Sequence, residues 1–295
     1  MNDAALVLNW EDRLRRDVDR TITDAIDRLE APTLRHIIGH STAGGKRVRP
    51  LLAVLACTAA GGREAEALPA AAALELLHAS SLIHDDIMDN ADVRRGAPAV
   101  HTKHGIPMAI LAGDALIAVA FRVLQTTRSK SPAEILFTFS SSFLQLCEGQ
   151  CADIECSEGM LNDPSQHRWM VERKTARLLE ACMRIGALIA TDERRIVDAL
   201  GSYGLHLGLA YQAMDDLLDA TGDESGTGKS VGLDAQNGRH TYLTLAYPST
   251  DLLANTRGVV ARHTAEALSA LENLPESESR DRLGDLARKL LDRRQ

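Results

Sequence analysis

The sequence is poor in aromatic residues and has no excess of positive charge. Aromatic side chains make up 3% of the 295 residues, whereas apolar residues reach 45% and charged residues 25%, as in an ordinary globular chain. The net charge of -8 at pH 7 argues against general electrostatic binding to nucleic acid or to an anionic membrane. Any anion that the protein binds must therefore meet a local cluster of basic residues.

Paired cysteine motifs and long apolar runs are also missing. The five cysteines form no paired CxxC pattern, which is typical of reduced thiols in a cytoplasmic protein. No basic segment precedes an apolar stretch near residue 1, so we expect no signal peptide. The most apolar window, residues 106–121, contains Asp114 and is shorter than a bilayer requires, so we expect no stable membrane insertion.

Most of the chain has the spacing of apolar residues that is typical of α-helices. Glycine and proline breaks leave helical segments, which we predict over residues 69–89, 107–127, 133–157 and 193–220. Segments 111–124 and 200–218 are apolar over much of their circumference, which predicts helices near the centre of a bundle. With no repeat and no linker, we predict an all-α, single-domain, antiparallel helical bundle over residues 1–295.

Two acidic clusters lie on these apolar segments. They share the spacing i, i+1, i+4 and consist of Asp85, Asp86 and Asp89, and of Asp215, Asp216 and Asp219. Carboxylates at i and i+4 share one face of a helix and repel each other. A solvated acidic face would explain one such cluster, but two copies on apolar helices favour binding of Mg²⁺, which prefers oxygen ligands and retains water or phosphate oxygens.

Basic residues near glycines supply the opposite charge. Lys46 and Arg49 follow a Gly-Gly turn, and Arg94 and Arg95 follow the first acidic cluster by about one helical turn. Alone, each is typical of a surface charge. Together they provide the cationic groups that two diphosphates would need.

At these residues the chain resembles the trans-isoprenyl diphosphate synthases, the all-helical polyprenyl synthetase family. The matching motifs run in family order from residue 44 to residue 234: GGKRVRP, ELLHASSLIHDDIMDNADVRRG, AGDAL, GQCAD, RKTA, YQAMDDLLD and GTGKSVGLD. The resemblance implies an isoprenoid-synthase bundle with a central active-site cavity, a geranylgeranyl diphosphate synthase-like activity and a homodimer.

The resemblance also implies a role for each matching residue. The six aspartates would hold three Mg²⁺ ions that clamp the diphosphate of an allylic substrate. Further contacts to that diphosphate would come from Arg94, Lys174, Gln212, Lys229 and Arg239. Contacts to isopentenyl diphosphate would come from Lys46, Arg49, His78 and Arg95. Lys174, Thr175 and Gln212 would steady the carbocation or the leaving group, although His78 and Gln212 could also be ordinary buried polar residues.

Two features depart from the family pattern. Arg239 stands where members usually have the Lys of a Lys-x-Thr motif, and the usual proline two residues after the threonine is absent. Arginine keeps the charge but changes its geometry, so diphosphate affinity could differ. From Thr241 onward we expect the chain to be short by about one helical hairpin.

Product length is predicted from small residues before the first aspartate cluster. Ser80 and Ser81 stand where a ten- or fifteen-carbon stop usually has an aromatic residue, so the cavity is predicted to be open. Phe121 is the candidate floor, with Leu77 and Leu111 on the walls; an ordinary core phenylalanine is the alternative for Phe121. We therefore expect geranylgeranyl diphosphate as the product, with longer chains or farnesyl diphosphate as alternatives.

Two other functions use related residues. A class I terpene cyclase has one DDxxD motif, but its second metal motif normally mixes Asn, Ser or Thr, and Glu, and it has no need for a second diphosphate site. A non-catalytic partner subunit usually lacks one aspartate motif, whereas both are intact here. The sequence therefore favours a prenyltransferase.

Overall fold

Helices make up most of the described structure, a computed structural model that covers residues 3–157, 163–221, 241 and 251–291, with side chains from residue 10 to residue 289. The helices are α1 (Asp3–Ile26), α2 (Pro32–Thr42), α3 (Val48–Ala59), α4 (Glu64–Met88), α5 (Val100–His104), α6 (Ile106–Leu124), α7 (Pro132–Ser157), α8 (Pro164–Val171), α9 (Arg177–Ala190), α10 (Arg194–Thr221), α11 (Leu252–Leu271) and α12 (Glu278–Leu291). A π-helical turn (Glu172–Ala176) joins α8 to α9. The predicted all-α fold is confirmed.

Helices α3, α4, α9 and α10 form the centre of the bundle. Helix α3 packs against α4 and α9, and α9 packs against α10. Small residues permit these close approaches: a Cβ atom at Gly186 of α9 would lie 2.2 Å from the carbonyl oxygen of Ala53 on α3. Helix α10 is buried over much of its length, as its all-round apolar pattern predicted.

Helix α4 begins earlier than the sequence predicted. The carboxylate of Glu66 accepts a hydrogen bond from the backbone N–H of Arg63 at 2.9 Å, and the helix therefore starts at Glu64 instead of Pro69. The proline lies in the second helical turn, where it removes one hydrogen bond near the helix start. The other three predicted helices match α6, α7 and α10 to within three residues at each end.

Helix α6 has one buried face and one exposed apolar face. Its 19 residues are long and apolar enough to cross a membrane by length and composition alone, so the expectation that this segment is too short was wrong. On the inner side α6 packs along α4, where Gly113 lies against the imidazole of His84. On the outer side Ile106, Ile110 and Leu111 are exposed.

A short hairpin follows α4 and positions two arginines. Strand β1 (Val93–Arg94) pairs antiparallel with β2 (Ala97–Pro98). The turn uses positive φ angles at Arg95 (53°) and Gly96 (74°), as a type I′ hairpin turn requires. Because the hairpin begins four residues after the last acidic residue of the α4 cluster, Arg94 and Arg95 return toward the end of that helix.

Candidate active site

The first aspartate cluster lies at the end of α4. Asp86 is 3% exposed and accepts a hydrogen bond from Nε of Arg94 at 2.8 Å, with a second contact from Nη2. Asp85 is half-buried: burial raises its pKa to about 6, while the charge of Lys174 opposes the rise and that of Asp89 adds to it. The cluster therefore contains one carboxylate neutralised by arginine and one whose charge is poorly solvated.

Lys174 is held where the π-helical turn meets α7. Its Nζ atom donates to Oδ2 of Asp153 on α7 at 2.5 Å. A Cβ atom at Gly149 would lie 2.4 Å from the backbone nitrogen of Lys174, so only glycine permits this close approach. The contact holds Lys174 near Asp85, where its positive charge opposes the rise that burial causes in the pKa of that carboxyl group.

The second aspartate cluster, on α10, is connected to the same π-helical turn. The hydroxyl of Thr175 donates to Oε1 of Gln212 at 3.0 Å, and Nε2 of Gln212 donates to Oδ1 of Asp216 at 2.9 Å. Asp216 is 3% exposed. Since Lys174 faces the first cluster and its neighbour Thr175 is bonded toward the second, the structure brings the two acidic motifs to the same region.

The donors in this region suit a hard divalent cation without enclosing it. Within the described part of the chain, no three His, Cys, Asp or Glu side chains converge on one point that could hold a metal ion. The six aspartates offer only oxygen donors, the type that Mg²⁺ prefers. The donor set therefore fits Mg²⁺ whose coordination is completed by water and by phosphate oxygens.

Four arginines surround His78 on α4. Burial and the positive charges of Arg49, Arg95, Arg94 and Arg47, in that order, hold the pKa of His78 well below its usual range. The imidazole is therefore neutral at pH 7, and it can donate one ring hydrogen bond without adding charge.

Two of these arginines keep their charge available for an anion. In the described structure neither Arg49 nor Arg95 forms an ion pair, and Nε of Arg49 is buried without a hydrogen-bond acceptor. Arg95 donates to the carbonyl oxygen of Gly44 at 3.4 Å, and its guanidinium would be 3.1 Å from a Cβ atom at Gly45. With the exposed Lys46, they form a cationic site apart from the aspartate clusters, in which the charge of Glu75 acts on Arg95 without a direct ion pair.

Two of the predicted diphosphate contacts, Lys229 and Arg239, lie outside the described residues. Arg94, predicted to contact the allylic diphosphate, is bonded to Asp86 in this structure. The roles assigned to the site residues stay predictions. The described site residues lie in two groups, one around the aspartate clusters and one around His78.

The residues predicted to set product length have different surroundings. Ser80 is fully buried, and its hydroxyl has no hydrogen-bond partner among the described residues, whereas the Ser81 hydroxyl donates to a backbone carbonyl one turn earlier at 2.9 Å. Phe121 packs edge-on against Phe139 of α7, with ring centroids 5.2 Å apart. Leu111 is 55% exposed, which does not match a position on an inner cavity wall.

Sequence reasoning missed several site residues that lie inside the quoted motifs. Asp153 ends the GQCAD motif, and Arg47 and Glu75 lie in GGKRVRP and ELLHASS. Gln150 is 5% exposed, and within the part of the chain that the structure describes both polar atoms of its amide lack a hydrogen-bond partner. The available signal was a charged or amide side chain inside an otherwise apolar helix, which rarely occurs without a specific partner.

The family profile described as "Polyprenyl synthetase" matches residues 31–268. The chain belongs to the polyprenyl synthetase family. The geranylgeranyl diphosphate synthase of Sulfolobus acidocaldarius is 41% identical to this polyprenyl synthetase over 246 residues, which are 81% of this chain and 74% of that protein. Membership confirms the predicted family and makes the chain a trans-prenyltransferase.

Solved structures resemble the whole described fold of this polyprenyl synthetase. The crystal structure of geranylgeranyl pyrophosphate synthetase from Pyrococcus horikoshii has a TM-score of 0.92 and 30% identity, and the match covers 98% of this chain and 99% of that one. A second, the Corynebacterium glutamicum geranylgeranyl pyrophosphate synthase complexed with isoprenyl diphosphate and magnesium, has a TM-score of 0.86 and 27% identity over 96% and 99% of the two chains. Against the Pyrococcus structure, therefore, the expected shortfall of one helical hairpin is not seen.

Similarity alone leaves the product length of this polyprenyl synthetase open. Relatives named farnesyl diphosphate synthase and geranylfarnesyl diphosphate synthase also match, at 36% and 42% identity. Product length must therefore be argued from the residues around the site.

Proposed function

We propose that this polyprenyl synthetase condenses isopentenyl diphosphate with an allylic diphosphate, and that its main product is geranylgeranyl diphosphate. The observation that carries the proposal is the presence of two different anion-binding arrangements in one molecule. The aspartate clusters fit a diphosphate bridged by cations, whereas Arg49 and Arg95 beside neutral His78 fit a diphosphate bound directly. A cyclase, which has one diphosphate substrate, has no use for the second arrangement.

Mg²⁺ is the cation that the aspartates are proposed to hold, three ions in all. The ligands would be drawn from Asp85, Asp86 and Asp89 on α4 and from Asp215, Asp216 and Asp219 on α10. When bound, the ions would stabilise the negative charge that develops on the diphosphate as the allylic C–O bond ionises.

The side chains around the clusters support the same charge separation. Lys174 and Arg94 place positive charge beside the first cluster and favour the anionic leaving group. The hydroxyl of Thr175 and the amide oxygen of Gln212 offer dipoles that steady positive charge on carbon without forming a stable bond to it. The released diphosphate takes the final proton, so no further His or Glu is required as a base.

The proposal is tested by incubating the purified chain with Mg²⁺, isopentenyl diphosphate and an allylic primer, and by sizing the products chromatographically. We expect a twenty-carbon linear diphosphate and complete loss of turnover when the metal is chelated. Mainly fifteen-carbon product would refute the open cavity, and a cyclic hydrocarbon would indicate a cyclase. Activity that appears only with a second protein would indicate a partner subunit.

We also propose that the enzyme is a homodimer formed through the apolar outer face of α6 and α7. Large apolar side chains are exposed on both helices: Ile106, Ile110 and Leu111 on α6, and Leu136, Phe137, Leu144 and Ile154 on α7. Phe137 reaches 71% exposure and Leu144 reaches 62%, which is unusual for isolated monomers. A second copy, as the family resemblance implies, would cover this surface.

The homodimer is tested by sedimentation of variants on this face. Phe121 of α6 and Phe139 of α7 are in contact, with ring centroids 5.2 Å apart, and we propose that the exposed residues of both helices lie in one interface. Phe137→Asp combined with Leu144→Asp should shift the protein to monomer. Asp24→Lys, an exposed change on α1, is the control and should leave the oligomeric state unchanged.

We further propose that the enzyme is a single-domain protein of the cytoplasm. Buried apolar residues from α1 to α12 form one connected cluster. All five cysteines are free, as expected in a reducing compartment.

A further inference from the structure

Arg47 is a buried arginine in the segment that joins α2 to α3, where Lys46 of the cationic site precedes it and Arg49 follows in the first turn of α3. It is 5% exposed and has a φ angle of 51°, a left-handed conformation that few non-glycine residues adopt. Its Nε atom donates to Oδ1 of Asp19 at 2.8 Å, Nη1 to Oε1 of Glu75 at 2.8 Å, and Nη2 to the carbonyl oxygen of Thr42 at 2.6 Å. One side chain therefore joins α1, the end of α2 and α4 to the start of α3.

Glu75 is as deeply buried as its partner. It is 4% exposed and lies three residues before His78, so the two side chains share a face of α4. Removing two charges from water costs several kcal/mol per ion, and apolar replacements of a buried pair are often neutral or stabilising. A gain in stability is therefore a weak explanation for the buried Arg47–Glu75 ion pair. A stronger explanation is that the pair fixes the position of the backbone around Arg47.

The anchored segment determines where the free cationic groups stand. Lys46 immediately precedes Arg47, and Arg49 follows it by two residues. Gly45, with a φ angle of 98°, lies against the guanidinium of Arg95. A shift of this backbone would move Lys46 and Arg49 relative to His78 and would change the contacts of Arg95 with Gly44 and Gly45.

We propose that Arg47 and Glu75 are positioning residues for isopentenyl diphosphate. They hold the segment between α2 and α3 so that Lys46, Arg49 and Arg95 converge on one diphosphate, and they do not touch the substrate themselves. This inference rests on the proposed function. It predicts a selective effect, because the allylic site is built from the end of α4, the π-helical turn and α10, where other contacts hold the side chains.

The experiment compares Glu75→Gln and the double variant Arg47→Met, Glu75→Leu with the wild-type enzyme. Calorimetry measures the Kd of isopentenyl diphosphate without a primer, when no reaction occurs, and kinetics measure KM for each substrate. We expect Kd and KM for isopentenyl diphosphate to rise about tenfold, equivalent to about 1.4 kcal/mol, with KM for the allylic primer within twofold of wild type.

Arg13→Gln is the matched control. The Arg13–Glu64 ion pair, at 2.9 Å, also joins α1 to α4, but it is largely exposed, so its loss should change neither KM value. Arg47→Lys keeps the charge but not the three-way fork, and it should bind isopentenyl diphosphate as weakly as the other variants.

Three outcomes would overturn the inference. The first is a folded double variant that binds isopentenyl diphosphate with wild-type affinity. The second is an equal rise of KM for both substrates. The third is wild-type affinity for isopentenyl diphosphate in Arg47→Lys. A wild-type chain that binds isopentenyl diphosphate but forms no product would contradict the proposed function only, because the affinity measurement needs no turnover. Failure of the wild type to bind isopentenyl diphosphate would overturn both.

Discussion

Side chains in the site act through shared hydrogen bonds that fix their orientation. A carboxylate can only accept hydrogen bonds, so the amide of Gln212 must present Nε2 to Asp216 and Oε1 to the hydroxyl of Thr175. The aspartate therefore determines which end of the glutamine amide faces it, and the threonine hydroxyl donates to the amide oxygen that remains.

Replacing Gln212 by Leu should remove both of these hydrogen bonds. We expect kcat/KM to fall about 10²-fold, since polar groups preorganised beside developing charge are lost, and stability to fall by about 1–3 kcal/mol. Because Thr175→Val removes one of the same bonds, the double variant should lose less than the sum of the two single losses. Kinetics and thermal unfolding of the three variants measure this coupling; additive losses would argue against a shared unit.

Ser80 provides a test of product length with its own control. Since no described residue forms a hydrogen bond with its buried hydroxyl, Ser80→Ala should leave the product distribution unchanged and the stability equal or slightly higher. Ser80→Phe should shorten the product toward fifteen carbons because the ring would occupy the predicted cavity, and it should cost about 1–3 kcal/mol because Ser80 is fully buried. Chromatography of the products measures the first effect, and an unchanged distribution with a folded variant would contradict the wall assignment.

The contact between α7 and the π-helical turn is the main structural element that positions Lys174. A π-helical turn contains an extra residue, and such turns frequently occur at functional sites. Here the turn carries both Lys174 and Thr175, so one local distortion serves two adjacent side chains that bond toward different helices.

Gly149→Ala should disrupt this arrangement. The new Cβ atom would lie 2.4 Å from the backbone nitrogen of Lys174, so α7 and the turn would have to separate. We expect a loss of about 1–3 kcal/mol in unfolding free energy together with a lower kcat. Gly39→Ala on α2 is the control: it meets no atom within 4 Å and should be neutral or stabilising by up to about 1 kcal/mol. Urea unfolding and steady-state kinetics give both quantities, and wild-type values for Gly149→Ala would refute the close approach.

At the scale of the whole molecule, a pair of histidines between two helices should make the stability of the bundle depend on pH. His206 on α10 and His263 on α11 lie with their Nδ1 atoms 2.9 Å apart. Burial lowers the pKa of both, with His263 at about 4, and the charge of Arg262 also lowers both, whereas Glu266 acts in the opposite direction on His206. The folded state therefore holds the pair neutral at pH values where the unfolded chain, near pKa 6.5, is protonated.

Stability should fall as pH drops below about 6.5, because the unfolded chain then binds more protons than the folded one. The loss should continue down to a pH of about 4, where His263 protonates in the folded state. Thermal unfolding at pH 7.5 and pH 5 measures the effect, and the double variant His206→Asn, His263→Asn should show a smaller difference between the two. An identical pH dependence would contradict the assignment.

The order of the motifs predicted the family by resemblance, and spacing along the chain was enough to predict the all-α fold and three helices to within three residues. These features depend on residues one to four positions apart, whose geometry a helix fixes. Spacing did not reveal that Asp153 binds Lys174, 21 positions away, or that Arg47 binds Glu75, 28 positions away.

Packing between helices settled which of several similar charges are available to substrates. In the sequence the arginines of the GGKRVRP and VRRG motifs look alike, yet Arg47 and Arg94 form ion pairs, whereas Arg49 and Arg95 form none within the described part of the chain. The same packing brings Asp85 and His78 into places where burial changes their pKa values. Desolvation and long-range ion pairing depend on the neighbours that folding brings together, and no local pattern records those neighbours.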